Sequence, residues 1–423
     1  MECNRAVAVV GGGASGMMES IAAAESGAVV TLFEKNQRVG KKLLATGNGR
    51  CNLSNLHVGP ENYHGGAPEF ALLVLARFDV QSTLDFFERL GVAPKVEEGG
   101  KVFPLSEQAG SVLDVLRWRL EELGVQTLCE SPVAGVKMGQ RGFLLTLRNG
   151  KTFETERLIL ATGGRAAPHL GSDGSGHALA RLLGHTLVSP FPALVPLKLS
   201  AGFIRQIQGV KFRGEAGIVV GGREVHKASG ELLFTEYGIS GPPILSLSRK
   251  ACEHLLAGQK VTLRLSIFPS IAFGELEECL AKRLDLGRTK SFVFSFVGFL
   301  NKKLIPVVLR ESGVSDIHKA AESVTPSEVR AVVKTLKEWT FEVTGSPSWP
   351  HAQVTAGGVD VREIHPETME SRILPGLFFA GEIVDIDGDC GGYNLQWAWS
   401  SGHMAGSGAG GAPPSSTPPG FVV

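Results

Sequence analysis

The stretch Val7–Gly16, VAVVGGGASG, constrains this chain more than any other. Four apolar, mostly β-branched residues suit a buried strand. Gly11-x-Gly13-x-x-Gly16 follows, and then a helix-forming run, Met17–Ser26. Each glycine has a physical reason. Gly11 permits a tight turn, Gly13 lets the backbone approach a pyrophosphate, and Gly16 lets the new helix lie close on the strand. The helix start then offers N–H groups and a positive dipole end to phosphates. A glycine turn alone is a weak signal, so its context matters. Val29–Phe33 (VVTLF) reads as the next strand, and Glu34 stands at its end, 18 residues after Gly16. A carboxylate there accepts hydrogen bonds from the ribose hydroxyls of an adenosine. The stretch predicts a bound dinucleotide without saying which one.

Composition removes several alternatives. The chain has 423 residues, enough for two domains. Lys and Arg balance Asp and Glu at 42 each, and no long basic run occurs, so no nucleic-acid partner is expected. Six scattered cysteines with no CxxC pair argue against a zinc site and a disulfide framework. They fit a reducing, cytoplasmic setting. No apolar run reaches the ~18 residues of a membrane span. Glycine, at 54 residues, is about twice its usual share. Much of the excess lies in Gly11–Gly16, Gly163–Gly176 and Gly381–Gly392, which points to backbone–ligand loops.

In chain order, 1–190 reads as the first part of a nucleotide-binding domain. Lys35–Asn55 is a polar, glycine-rich loop that continues from the ribose acid along the ligand. Ser111–Leu123 is an amphipathic helix, and Val125–Leu128 returns to the sheet. Phe143–Leu147 and Lys151–Thr155 form a hairpin about Asn149-Gly150. Arg157–Thr162 is a buried strand ending in Gly163-Gly164. Gly171–Gly184 opens a further helix with the wrong spacing for a second nucleotide turn; its start is a candidate anion site. Residues 191–348 read as an inserted substrate or cap domain. Its β part is 191–268 and its helical part 269–348, with Ser327 as the N-cap of the last helix. Residues 349–406 return to the first domain through the strand Leu377–Ala380 and the helix Trp397–Ala405. The Gly/Pro/Ser-rich 407–423 reads as a disordered tail.

Three strand-to-glycine turns, at 11–16, 161–164 and 381–392, predict one long ligand held by both ends of the chain. With no second nucleotide fold in the sequence, FAD suits that arrangement better than NAD. The segments GGGASG, GKKLLATGNGRCNLSN, LFTEYGISGP, TAGGV and LFFAGEIVDIDGDCGGYNLQWAWSSG together resemble one family of bacterial flavoproteins. It is the NAD(P)/FAD-dependent oxidoreductase family that includes 3-dehydro-bile acid Δ4,6-reductase and aminoacetone-oxidase-like relatives. The resemblance implies an α/β fold. A Rossmann-type FAD domain is built from both chain ends, with an insert having a barrel-like part and a helical part. It also implies the cofactor contacts. Gly11, Gly13, Ala14, Ser15 and Gly16 would hold the pyrophosphate, and Glu34, with Lys35 beside it, the ribose. Val133 would lie at the adenine. Lys42, Thr46, Gly47, Asn48, Gly49, Arg50, Cys51 and Asn52 would line the flavin side. Ala161, Thr162 and Gly163 would close over the cofactor. Gly381, Glu382, Gly392, Tyr393, Asn394, Leu395 and Gln396 would meet the ribityl and ring end.

Two side chains are candidates for catalysis. Arg50 would stabilise negative charge on a reduced flavin or a carbonyl, or else form a loop salt bridge. Tyr393 would give a proton to a carbanion left by hydride transfer, or else pack on the cofactor. Cys51, lacking a CxxC partner, reads as a packing or flavin contact rather than a redox thiol. His169, His177 and His185, and the alternating Asp385, Asp387 and Asp389, show no metal-ligand pattern, so no metal is expected. The expected reaction passes hydride from NAD(P)H through FAD to an enone-type C=C bond of a small molecule; the steroid class comes from the resemblance alone. An amine oxidase using O2 and a tRNA-modifying flavoprotein are the alternatives. Oligomeric state is not legible.

Overall fold

The computed structural model describes residues 5–412. The described chain divides into two compact units, one from 5–192 with 353–412 and one from 193–352. The first unit is built on a five-stranded sheet. In chain order its strands are β1 (Ala6–Val10), β2 (Val29–Phe33), β3 (Gln126–Leu128), β4 (Arg157–Leu160) and β5 (Leu377–Phe379). They lie in the order β5-β4-β1-β2-β3, and every neighbouring pair is parallel. Val9 faces Ile159 on one side and Leu32 on the other. All three are wholly buried. A sheet covered on both faces needs such unbroken apolar strands.

Helix α1 (Ala14–Glu25) follows β1 and packs against the final helix, Tyr393–Gly410. Gly402, Gly406 and Gly410 share one face at a spacing of four. A Cβ on Gly406 would fall 2.3 Å from the Glu19 carbonyl oxygen, and one on Gly402 would fall 2.9 Å from that of Ser15. A Cβ on Gly410 would meet the Ser26 Cβ at 2.4 Å. The glycines therefore let two helix backbones close together. They also correct the sequence reading, in which the helix stops at Ala405. Residues 407–410 are its last turn, anchored where Arg157 donates to the carbonyls of Gly408 and Ala409. The rest of the expected tail, 413–423, lies outside the described residues.

The second unit is a closed antiparallel barrel with helices. Around the barrel the strands run Leu197–Ser200, Gly238–Ser240, Arg223–Phe234, Lys211–Val220, Val261–Ser266 and Trp339–Gly345. The α/β class, the Rossmann-type sheet from both chain ends and the barrel insert are as the sequence predicts. Two details differ. Trp339–Gly345 is a strand, whereas the sequence was read as helical through this stretch. Trp339, Phe341 and Val343 point into the core while Thr340 and Glu342 point out. That two-residue period is visible in WTFEVTG. The helix Pro326–Glu338 is capped by Thr325, not Ser327. Thr325 and Glu328 form a capping box, and Pro326 takes the first helical position.

Glu19 is the exception inside the α1 packing. It is wholly buried, and neither carboxylate oxygen has a partner. Burial pushes its carboxyl well above the usual range. The folded protein then keeps a proton that the unfolded chain releases above the ordinary value of 4.5. Stability must fall as pH rises from there towards the folded-state value. Glu19→Met is expected to flatten that decline in unfolding midpoint as pH rises above 4.5. Gly406→Val is expected to cost about 1–3 kcal/mol or more, because its Cβ meets a backbone oxygen that cannot swing away. Denaturant unfolding of the two variants measures both.

Candidate functional site

The carboxyl ends of β5, β4 and β1 lie side by side, and each opens into one of the three glycine turns. The turns touch. A Cβ on Gly11 (φ +113°) would come within 2.4 Å of the Ala161 carbonyl oxygen. One on Gly381 (φ +72°) would meet Ser15 Oγ at 2.5 Å, and one on Gly16 would strike the Gly11 carbonyl at 1.8 Å. Gly13 is different, because an added Cβ there meets nothing within 4 Å. Gly11, Gly13, Ala14, Thr162 and Gly163 remain partly exposed at the ends of buried strands. Helix α1 has no side-chain N-cap, so no capping side chain occupies its first-turn N–H groups.

Glu34 ends β2 and is buried. Its Oε2 accepts the Gly12 N–H at 2.8 Å, and its Oε1 accepts the backbone N–H and Nδ2 of Asn36 at 2.7 Å each. A carboxylate offers about four lone-pair sites, so capacity for a ribose hydroxyl is left. Lys35 pairs with Asp173 at 2.7 Å. Asp173 also accepts the Ser175 N–H at the start of the helix Ser175–Leu182. Burial opposes ionisation of Asp173, but the Lys35 and Ser175 hydrogen bonds outweigh it and hold the carboxyl at about 2. The candidate anion site at that helix start is thus taken by the chain's own carboxylate. Val133 opens the strand Val133–Gly139, opposite Leu147.

The loop after Glu34 bends sharply. Gly47 and Asn48 (φ +56°), Gly49 (φ +84°) and Cys51 (φ +62°) are all left-handed. For Asn48 and Cys51 this costs about 1–3 kcal/mol each, and such strain gathers at ligand clamps. Thr46 Oγ1 donates to the Leu43 carbonyl. The Cys51 side chain is buried, and burial pushes its thiol up to about 12, which leaves it a packing group. Arg50 forms a salt bridge to Glu97 at 3.0 Å and lies 4.0 Å above the Phe103 ring. Asn52 Oδ1 is buried and has no partner, and a Cβ on Gly392 would come within 2.9 Å of it.

Lys42 and Glu382 meet from opposite ends of the chain, Nζ to Oε2 at 2.7 Å. Glu382 Oε1 accepts from the Thr355 N–H (3.0 Å) and Oγ1 (2.7 Å). Thr355 Oγ1 in turn accepts the N–H groups of Arg165 and Ala166. One network therefore joins the 35–55 loop to the second and third turns. The sequence did not single out Thr355. Nor did it mark Ser401, which accepts the Gly381 N–H, or Trp397, whose Nε1 donates to the Gly381 carbonyl. These residues act on distant backbone atoms, so no local pattern announces them.

At the start of the final helix, Gly392 (φ +107°), Asn394 and Leu395 are partly exposed. Asn394 donates to the carbonyls of Gly388 and Asp389. Tyr393 stacks edge-on against Tyr63, and its hydroxyl donates to the His57 carbonyl at 3.4 Å. Burial, then the Asp389 charge, raises the Tyr393 hydroxyl above its usual range. Gln396 is wholly buried and engaged with Ser54, Thr83, Ser400 and the Asp79 carbonyl, so it holds the loop from behind. His185 is held by Glu363 and Ser371. Among the described residues no cluster of three His, Cys, Asp or Glu could hold a metal ion, and no helix is long and apolar enough to cross a membrane.

The residues present fit a dinucleotide. Gly13 leaves open space at a helix start, Glu34 keeps acceptor capacity, and Asn52 Oδ1 is an orphaned acceptor at the other helix start. Two glycine variants separate ligand contact from folding. Gly13→Ala is expected to keep the unfolding midpoint and weaken the FAD Kd by at least about tenfold, or about 1.4 kcal/mol. Gly16→Ala is expected to lose the fold itself, because its Cβ overlaps a backbone oxygen. Equilibrium binding and thermal unfolding on both variants measure this.

Comparison with known proteins agrees with the fold. The model of the HI0933-like protein Rossmann domain matches residues 5–408. The 3-dehydro-bile acid delta(4,6)-reductase of Clostridium scindens is 38% identical, covering 95% of this chain and 98% of the relative. The ribosomal RNA dihydrouridine synthase of Escherichia coli is 32% identical, covering 93% of this chain and 95% of the relative. The Haemophilus influenzae protein of the same name is 29% identical, covering 93% and 96%. With its nucleotide turns, barrel insert and returning strand matched almost end to end, the chain belongs to the HI0933-like Rossmann-domain family.

Proposed function

We propose that this protein is a FAD-dependent oxidoreductase that uses NAD(P)H to reduce a C=C bond conjugated to a carbonyl. The observation that carries the cofactor reading is the row of three touching glycine turns along one sheet edge, ending at Asn52 and Gly392. One extended dinucleotide suits that row. In this reading the N–H groups of Gly13, Ala14, Ser15 and Gly16 bind the pyrophosphate, and Glu34 binds the ribose. Lys42, fixed by Glu382, and the Thr46–Asn52 loop lie along the flavin. The start of the final helix turns N–H groups and its positive dipole end towards an electron-rich ring edge. When bound, FAD supplies a two-electron carrier between a nicotinamide and an organic acceptor.

The acceptor class follows from what the relatives' names share. A 3-dehydro-bile acid with Δ4 and Δ6 bonds is a conjugated ketone. Uridine, the precursor of dihydrouridine, has its C5=C6 bond beside the C4 carbonyl. Both reductions add hydride at the carbon remote from the carbonyl and a proton at the nearer one. A 3-oxo steroid is the first candidate. Ribosomal RNA is the second, and it reopens the nucleic-acid partner that zero net charge argues against. The whole-chain balance hides a split, since residues 193–352 carry 21 Lys and Arg against 15 Asp and Glu.

The purified protein is expected to be yellow, with a flavin spectrum that NADH or NADPH bleaches under anaerobic conditions. A 4-en-3-one steroid or a uridine-containing rRNA fragment should then restore the oxidised spectrum. A colourless protein that takes up no FAD overturns the reading. Peroxide release with amines, and no reoxidation by conjugated carbonyls, would move the assignment to an amine oxidase.

A further inference from the structure

Beside the start of the final helix lies a short ladder to which the sequence-based reading gives no role. Tyr63–His64 pairs with Asp387–Gly388, with His64 opposite Asp387. The Tyr63 hydroxyl donates to the carbonyl of Tyr393, the first residue of the final helix, at 3.0 Å. The ladder is thereby fastened to the helix start. Asp389 leaves it with its N–H on the Asn62 carbonyl and its own carbonyl accepting from Asn394. Its carboxylate is 2.8 Å from His64 Nε2. The two side chains are 20% and 26% exposed, so both reach solvent. His64 Nδ1 makes no hydrogen bond with the described residues.

A carboxylate on one imidazole nitrogen, with the other nitrogen open, is the arrangement of an oriented acid–base group. Other candidates at this end are less suited. Arg50 is held by Glu97 and Phe103. The Tyr393 hydroxyl is turned to a carbonyl. Cys390 is a poor acid, because burial pushes its thiol up. An ordinary surface ion pair is the plain alternative, and one of that kind contributes little. It would not explain why Asp389 is fixed through its own N–H and carbonyl as well as its carboxylate.

We propose that His64, oriented by Asp389, is the proton donor that completes reduction of the conjugated C=C bond. This rests on the function proposed above. As hydride from the donor forms the C–H bond remote from the carbonyl, the C=C π pair moves to the carbon next to the carbonyl. There it takes the Nδ1 proton of the His64 imidazolium: that N–H bond breaks and the second C–H bond forms. His64 is left as neutral imidazole with its Nε2–H on Asp389, and solvent returns the proton across the exposed ring edge. Hydride and proton together saturate the bond. His64 is the catalytic residue in this scheme and Asp389 a positioning residue.

The test uses the FAD-loaded protein reduced with dithionite and then mixed anaerobically with one of two oxidants. One is 4-androstene-3,17-dione or uridine-containing rRNA, whichever reoxidises the unmodified protein; the other is ferricyanide, which takes electrons with no proton at carbon. The readout is the ratio of the two rates. His64→Ala is expected to lower it about 100-fold or more. Added imidazole should restore part of the loss, and Asp389→Asn should lower the ratio less than His64→Ala. The flavin spectrum shows that each variant is loaded. An unchanged ratio in His64→Ala overturns the proposal, as does a loss that imidazole does not relieve. If the unmodified protein is reoxidised by ferricyanide and by no conjugated carbonyl, the functional reading falls first and this proposal with it.

Discussion

The first unit depends on backbone-to-backbone contact that only glycine allows. The carbonyl of Gly11 lies where a side chain at Gly16 would begin, and the carbonyl of Glu19 where one at Gly406 would begin. These contacts set the height of α1 above β1 and of the final helix above α1. Apolar burial supplies the drive, since the strands and both helices are buried. It does not choose the spacing. The missing Cβ atoms choose it, and the spacing brings the middle of the final helix, at Trp397 and Ser401, to Gly381 at the end of β5. Ligands of open α/β sheets bind at such carboxyl ends.

A second layer of polar contacts then fixes the loops. Lys42, Glu382 and Thr355 join three segments far apart in sequence. Gln396 and Trp397 hold the same loops from the helix side. The groups in this layer have their hydrogen bonds within the protein. Their role is to hold backbone atoms and the Lys42 ammonium in position, and pre-set donors need no rearrangement when charge develops. The left-handed backbone at Asn48 and Cys51 is tolerated because this scaffold over-determines the loop around it.

Most of the first unit was legible because its signals are local. VAVV, VVTLF and RLIL carry the strand pattern, and each glycine turn sits directly after its strand. Glu34 could be named because a strand end places it. Asn149-Gly150 gave the hairpin for the same reason. Where partners lie hundreds of residues apart, the sequence was silent. Nothing near Thr355 marks it as the acceptor for Arg165 and Ala166, and nothing near His64 reveals Asp389. Ser407–Gly410 read as a loose tail because their composition does not show the helix they pack on. The strand Trp339–Gly345 was hidden by the helical run before it, although its alternation was plain. Whole-chain charge is a coarse guide of a different kind, since a sum of zero conceals units of unequal charge.

The division between committed and open groups sharpens where the chemistry lies. Arg50 is a cation in a glycine loop, and Tyr393 is a rare hydroxyl near a helix start. Both are engaged by the protein, one by Glu97 and the other by the His57 carbonyl. The open capacity is elsewhere: the space before Gly13, the remaining lone pair of Glu34, Asn52 Oδ1 and His64 Nδ1. From the first nucleotide turn it leads to the start of the final helix, where helix N–H groups favour negative charge. A proton donor is most effective where negative charge accumulates in the transition state, and the dyad of His64 and Asp389 stands beside that helix start. Proton supply and charge stabilisation are thereby assigned to different groups. In the proposed scheme the helix start would stabilise electron density on the cofactor side, and the imidazole would supply the proton at carbon.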